Sequence, residues 1–163
     1  MKKIGIINEH NFFREKIAKL SIRKKVRGLI YKDKDTLVCI EEDGYGIKHI
    51  LKLPGGTVEK NESNIKAIKR EILEETGYEI NNIKCIGFIE NIRKEYVLHI
   101  TYYMAKTKGR QKKLKLTDAE LNVGTKPIEI KIETALKRIK AEYKKVPQDS
   151  SLRDIMVFNE FKK

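Results

Sequence analysis

The sequence predicts an α/β fold, and its patterning carries that expectation. Apolar runs rich in β-branched residues, bounded by Gly, Pro and Asp turn signals, occupy residues 22–53 and 83–106. Two other segments repeat their apolar residues at helical intervals, one before Gly77 and one from Ile132 to Tyr143. The order is therefore strands, helix, strands, helix. With 163 residues the chain is long enough for a single domain with a real core. Its 40% hydrophobic content is ordinary for a globular protein.

The elements follow in order. Residues 1–21 read as a lead-in, a strand and then a short helix around Phe12–Leu20. Residues 22–31, IRKKVRGLIY, read as a strand that ends at the turn signal Asp33-Lys34-Asp35. Thr36–Ile40 is a second strand, and Asp43-Gly44-Tyr45-Gly46 marks the next turn. Ile47–Leu53 alternates as a third strand and runs into Pro54-Gly55-Gly56. Ile83–Ile92 and Tyr96–Lys106 form two more strands joined through Arg93-Lys94-Glu95. Residues 107–127 read as loop, followed by a short strand over Ile128–Lys131. Ile132, Ala135, Leu136, Ile139 and Tyr143 share one helical face, and Pro147 ends that helix. Ser151, with Asp154 three residues on, is placed to cap a last helix ending near Phe161.

The chemistry concentrates in residues 56–78, GTVEKNESNIKAIKREILEETGY. Asn61, Glu62 and Ser63 supply helix-starting side chains, and Gly77 supplies the stop. Ile65, Ile68 and Ile72 fall on one face. Glu71, Glu74 and Glu75 stand at i, i+3 and i+4, so their carboxylates cluster on a neighbouring face. Ala67 lies one turn earlier on that acidic face and is small enough to leave it open. Clustered like charges repel and weaken a helix. A hard divalent cation with oxygen ligands offsets that repulsion, and magnesium suits a phosphate substrate. The competing reading is a solvated acidic face paired with lysines.

Gly56, Glu62, Arg70, Glu71, Glu74, Glu75 and Gly77 fit the spacing G-x5-E-x7-R-E-U-x-E-E-x-G-U, with U an aliphatic residue. This resembles the signature of the Nudix (MutT-like) hydrolases. Ile72 satisfies the first aliphatic position; Tyr78 departs at the second, a change expected to affect packing rather than chemistry. The resemblance covers residues 22–145 and leaves 146–163 as a C-terminal helix, all within one domain of 1–163. It implies an α/β/α sandwich around a mixed sheet with much antiparallel pairing. It also implies hydrolysis of a diphosphate linkage in a nucleoside diphosphate joined to another group, with Mg²⁺ or Mn²⁺. Glu74 and Glu75 are the first choices as metal ligands. Glu71 is either a further ligand or the base acting on water. The family adds the carbonyl at the Gly55 position to the metal shell.

Arg70 is expected to orient a glutamate, with Glu62 holding the charge network; a plain salt bridge at the loop–helix junction is the alternative, and both roles can hold together. Many family members recruit one more carboxylate from a later loop. Glu120 is the first candidate here, as ligand or base, and Asp118 the second; a helix cap or solvated acid is the alternative. No proline lies between Tyr78 and Lys126, so the mark of ADP-ribose hydrolases is missing. Tyr96 falls eighteen residues after the box, the place of a tyrosine in dinucleoside polyphosphate hydrolases. In a substrate pocket it would stack on a base; otherwise it is a strand residue chosen for β propensity. His99 reads as a satisfied sheet histidine.

The net charge is +13. Nucleic-acid binding through counterion release competes with a plain lysine-rich composition, favoured because the lysines are spread along the chain. The densest run, Lys106–Lys115, holds six basic residues and suits a loop that steers anions or is simply solvated. A small nucleotide is thus the expected partner. RNA stays as an alternative, either for a binding module on this fold or for 5′-end trimming. The N-terminus lacks the apolar middle of a signal peptide, and no run suits a membrane span. Cys39 and Cys85 sit in apolar stretches and read as reduced core residues, which points to the cytoplasm. Oligomeric state stays open, a homodimer included.

Overall fold

The computed structural model describes residues 1–8, 10–44 and 46–161. Tyr45, in the expected turn, lies outside them. The strands are β1 (Lys3–Ile7), β2 (Ser21–Tyr31), β3 (Thr36–Gly44), β4 (Ile47–Lys52), β5 (Glu79–Ile92), β6 (Tyr96–Lys108) and β7 (Lys126–Lys131). The helices are α1 (Arg14–Ile17), α2 (Asn64–Thr76), α3 (Asp118–Asn122), α4 (Ile132–Lys145) and α5 (Asp149–Phe161).

The strands make one mixed sheet in the order β1-β5-β6-β2-β3-β4, with β7 also paired to β3. β1 runs parallel to β5 and β2 parallel to β6; the other pairings are antiparallel. Strand alternation sends Val26 and Ile30 of β2 to one face, where they meet Ala67, Ile68 and Ile72 of α2. It sends Leu29 and Tyr31 to the other, against Ala135, Leu136 and Ile139 of α4 and Val157 and Phe158 of α5. α2 packs its apolar stripe on one side of the sheet and α4 and α5 theirs on the other, so the sandwich the sequence implied is present.

Several local expectations change. The lead-in is not peripheral, because β1 extends the sheet through β5. Its helix shrinks to Arg14–Ile17, which buries nothing. β3 runs on to Gly44, and β5 begins at Glu79 rather than Ile83. Ser151 does not cap α5. The helix already starts at Asp149, and Ser151 and Asp154 are both buried within it. Ile65 leaves the apolar stripe and is exposed. Ala67 is instead a core residue. Cys39 is buried, but Cys85 is exposed on β5. Among the described residues no helix is long and apolar enough to cross a membrane.

One irregularity shapes the site. β2 pairs with β3 only at Ile30–Val38 and Tyr31–Leu37. Nearer its start β2 faces the chain after β4 instead. The Gly28 N–H donates to Pro54 O (3.0 Å), Val26 N–H to Gly56 O (3.0 Å), and Val58 N–H to Lys24 O (3.1 Å). The strands splay, and the Pro-Gly-Gly loop fills the gap.

Candidate active site

α2 is fixed at both ends as its sequence dictates. Ser63 is the N-cap and accepts from the Lys66 N–H at 3.3 Å. Gly77 ends the helix in the left-handed region at φ 73°, where a side chain is disfavoured. The basic run does not hang free. Beyond β6 it folds over this helix end, with Lys112 N–H donating to Gly77 O (2.7 Å) and Lys115 N–H to Glu74 O (3.0 Å). Cations there also complement the helix dipole. Tyr78, the off-pattern residue, packs in the core and donates from its hydroxyl to Glu129 at 2.7 Å.

The Gly-Gly turn permits two close approaches. Gly55 has φ 132°, and a Cβ there would strike the backbone of Val26 and Arg27. A Cβ on Gly56 would occupy the space of the Glu71 carboxylate. The peptide just before the turn is gripped on both sides. The Leu53 N–H donates to Asp154 Oδ2 at 3.0 Å, and Arg27 donates to the Leu53 carbonyl. The Gly55 N–H then donates to Glu75 Oε2 at 2.6 Å. The observed contact of Gly55 is thus made by its N–H.

Carboxylate oxygens of Glu71, Glu75 and Glu120 lie within 4.8 Å of one another. Glu71 and Glu75 are only 8% and 4% exposed. Burial pushes the Glu75 carboxyl up to about 8, against the pull of the Gly55 N–H and Arg27. Burial also raises Glu71, opposed mainly by Arg70. Three acids brought together in a partly dry cleft, all oxygen donors, fit a hard divalent cation. When bound, such an ion supplies charge neutralisation for a diphosphate and acidifies water.

Arg70 ties this group to the loop. Its Nε and Nη2 donate to the two oxygens of Glu62 at 3.0 and 2.9 Å. Nη1 donates to Glu71 (2.9 Å) and Glu74 (3.1 Å), and Nη2 also reaches Thr57 O (2.9 Å). The hydrogen bond from Arg70 holds Glu62 below the usual carboxylate range. Arg70 therefore bridges the loop carboxylate of Glu62 to the helix carboxylates of Glu71 and Glu74. Glu74 is not in the three-acid group; it is one-third exposed beside Arg70.

Glu120 arrives from α3, in a segment expected to be loop. It closes a capping box with Thr117, accepting from the Thr117 N–H at 2.7 Å. The capping role and the approach to Glu71 and Glu75 coexist, because the cap fixes where the carboxylate points.

Beside the box loop lies a cavity of about 890 Å³. Tyr96 lines it, with the Arg23 guanidinium 4.0 Å above its ring. His99 stacks on Phe88 at 4.6 Å instead, as a sheet residue would. Sequence reading missed Lys25, Arg27 and Arg153. Lys25 and Arg153 line the cavity, and Arg27 holds the turn. Arg23, Lys25 and Arg27 alternate through β2 opposite Val26, a period-two signal of a basic face.

The family model for the NUDIX domain matches residues 22–145. The chain belongs to this family. A curated relative, the 8-oxo-dGTP diphosphatase of Buchnera aphidicola subsp. Acyrthosiphon pisum (strain APS), is 39% identical over 64 residues. That match covers 39% of this chain and 52% of the relative, about half its length. Among solved structures, a Nudix hydrolase from Nitrosomonas europaea superposes with TM-score 0.66 at 20% identity, covering 88% of this chain and 92% of that one. An ADP compounds hydrolase gives TM-score 0.66 at 16% identity, covering 88% and 73%. At such identities these structures show the shared Nudix fold.

Proposed function

We propose that this Nudix protein is a magnesium-dependent hydrolase that cuts a diphosphate linkage in a nucleoside diphosphate joined to another group. The observation that carries the reading is the convergence of Glu71, Glu75 and Glu120 from two separate elements. A protein that only bound nucleotides would gain nothing from gathering acids in a half-dry cleft, since the repulsion costs stability. Glu71, Glu75 and Glu120 would hold the ion, Mg²⁺ or Mn²⁺, with Glu74 and the Gly55 carbonyl completing its surroundings. Of the acids, Glu71 or Glu120 takes a proton from the attacking water. Arg70 keeps Glu71 in place, and Glu62 keeps Arg70 in place. Tyr96 offers a face for a base. Residues 1–163 act as one domain, because β1 and α5 complete the sheet and its cover.

The substrate is a small nucleotide. The name of the Buchnera relative makes oxidised purine nucleoside triphosphates one class to test. Purified protein should be screened with magnesium against nucleoside triphosphates, oxidised nucleotides, nucleotide sugars, dinucleoside polyphosphates and triphosphorylated RNA. Release of phosphate, pyrophosphate or a nucleoside monophosphate from a small nucleotide supports the reading. No turnover, with salt-dependent nucleotide or RNA binding, would assign the fold to a binding module. Turnover of RNA alone would make it a 5′-end hydrolase.

A further inference from the structure

The cavity beside the box loop carries more positive charge than a sugar or a base needs. Arg153, on α5, lines it and is 6% exposed. Its Nε and Nη1 have no hydrogen-bond partner among the described residues. Unfilled donors on a buried cation are costly, and folded proteins rarely leave them so. Close by are a second guanidinium, Arg27, and the buried carboxylate of Asp154; both bear on the charge of Arg153. Asp149 also bears on Arg153, and it is shared with Arg93. Burial, reinforced by Arg27, holds the Arg153 guanidinium below its ordinary value.

The cavity walls add to the imbalance. Among the described residues, Lys24, Lys25 and Lys60 make no ion pair, while Arg93 is matched by Asp149 at 2.6 Å. The acids on the wall are Glu59 and Glu62, and Glu62 is already committed to Arg70. The cavity is linked to the carboxylate site through Arg70, which pairs with both Glu62 of the cavity wall and Glu71. Lys25 bridges to Thr57 of the box loop, and its ammonium feels the charges of Glu71 and Glu75. A buried guanidinium with unmet N–H donors favours an anion rich in acceptor oxygens, such as a phosphate.

The geometry points to a second phosphate site: this cavity binds a phosphate group that the substrate carries outside the diphosphate that is cut, with Arg153 as its buried cation and Lys25 alongside. This rests on the proposed hydrolase reading for the word substrate, but its test does not depend on turnover. Tyr96, on the same wall, then stacks the base or sugar attached to that phosphate.

The test is calorimetric binding in chelator, where no cation occupies the carboxylates. The probes are adenosine, adenosine 5′-monophosphate, adenosine 3′,5′-bisphosphate, diadenosine tetraphosphate and inorganic phosphate. At least one of the multiply phosphorylated probes should bind at least tenfold tighter than the monophosphate. Arg153→Met should erase that advantage, and Arg153→Lys should restore only part of it. Lys25→Met, at a half-buried position, should weaken the same probe severalfold. Equal affinity of all the nucleotides for the wild type would overturn the proposal without any variant having to fold. Adenosine binding as tightly as its phosphates, and lost in Arg153→Met, would overturn it in favour of reading a base edge. Inorganic phosphate binding as tightly as the best nucleotide would assign the cavity to free phosphate instead. Failure of the hydrolase reading would show separately, as absence of turnover with these binding ratios intact.

Discussion

Replacing Glu75 with glutamine should stabilise the metal-free protein, and by more as the pH rises. Glu75 is 4% exposed, and burial lifts its carboxyl from 4.5 to about 8. The unfolded chain releases this proton near 4.5, whereas the folded chain keeps it until about 8. Between those values the folded state binds the extra proton, so stability falls as pH rises and stays lost above the window. Each pH unit inside it carries about 1.4 kcal/mol, so moving from pH 5 to pH 7 should cost the wild type roughly 2 to 3 kcal/mol relative to Glu75→Gln. Glutamine keeps an oxygen to accept the Gly55 N–H, so the turn is preserved. The assay is urea unfolding in chelator at half-unit pH steps for both proteins. Curves whose difference does not change with pH, or a variant less stable at pH 8, would refute the burial argument.

Other predictions follow from the same geometry. Divalent-cation affinity, measured by calorimetry, should rise with pH up to about 8, because the ion displaces the proton held by Glu75. Glu120→Gln should cut turnover about a hundredfold, the scale of lost acid–base help. Glutamine serves equally in the capping box with Thr117, so the melting temperature should hold. Asp154→Ala strands the Leu53 N–H and removes the acid that acts most strongly on Arg27. It should cost about 3 kcal/mol or more in denaturant unfolding.

The box helix was legible because every signal that fixes it is local: the Ser63 cap, the Gly77 stop and the spacing of Glu71 and Glu75 lie within a few turns. Glu120 was legible only as one of two acids on a late segment. That it reaches Glu71 depends on the chain after β6 folding back onto the end of α2, which spacing does not reveal. Arg27, Asp154 and Arg153 were illegible for a stronger reason. Their partners, Leu53 and the cavity, come from the splaying of β2 from β3 and the return of α5 across the sheet. The misread of Ser151 has the opposite cause: a good local capping pattern lost to tertiary packing, which carried α5 back to Asp149 and buried the serine.

The central claim is that the cluster of Glu71, Glu75 and Glu120 holds the cation on which a diphosphate is cut. Its most direct test is turnover of the best nucleotide from the screen, titrated with magnesium from excess chelator upward, in wild type and Glu75→Gln. The account predicts no wild-type turnover in chelator, a saturable rise with magnesium, and a variant lower by orders of magnitude throughout. Hydrolysis that persists in chelator, or a variant curve that overlays the wild type, would contradict it.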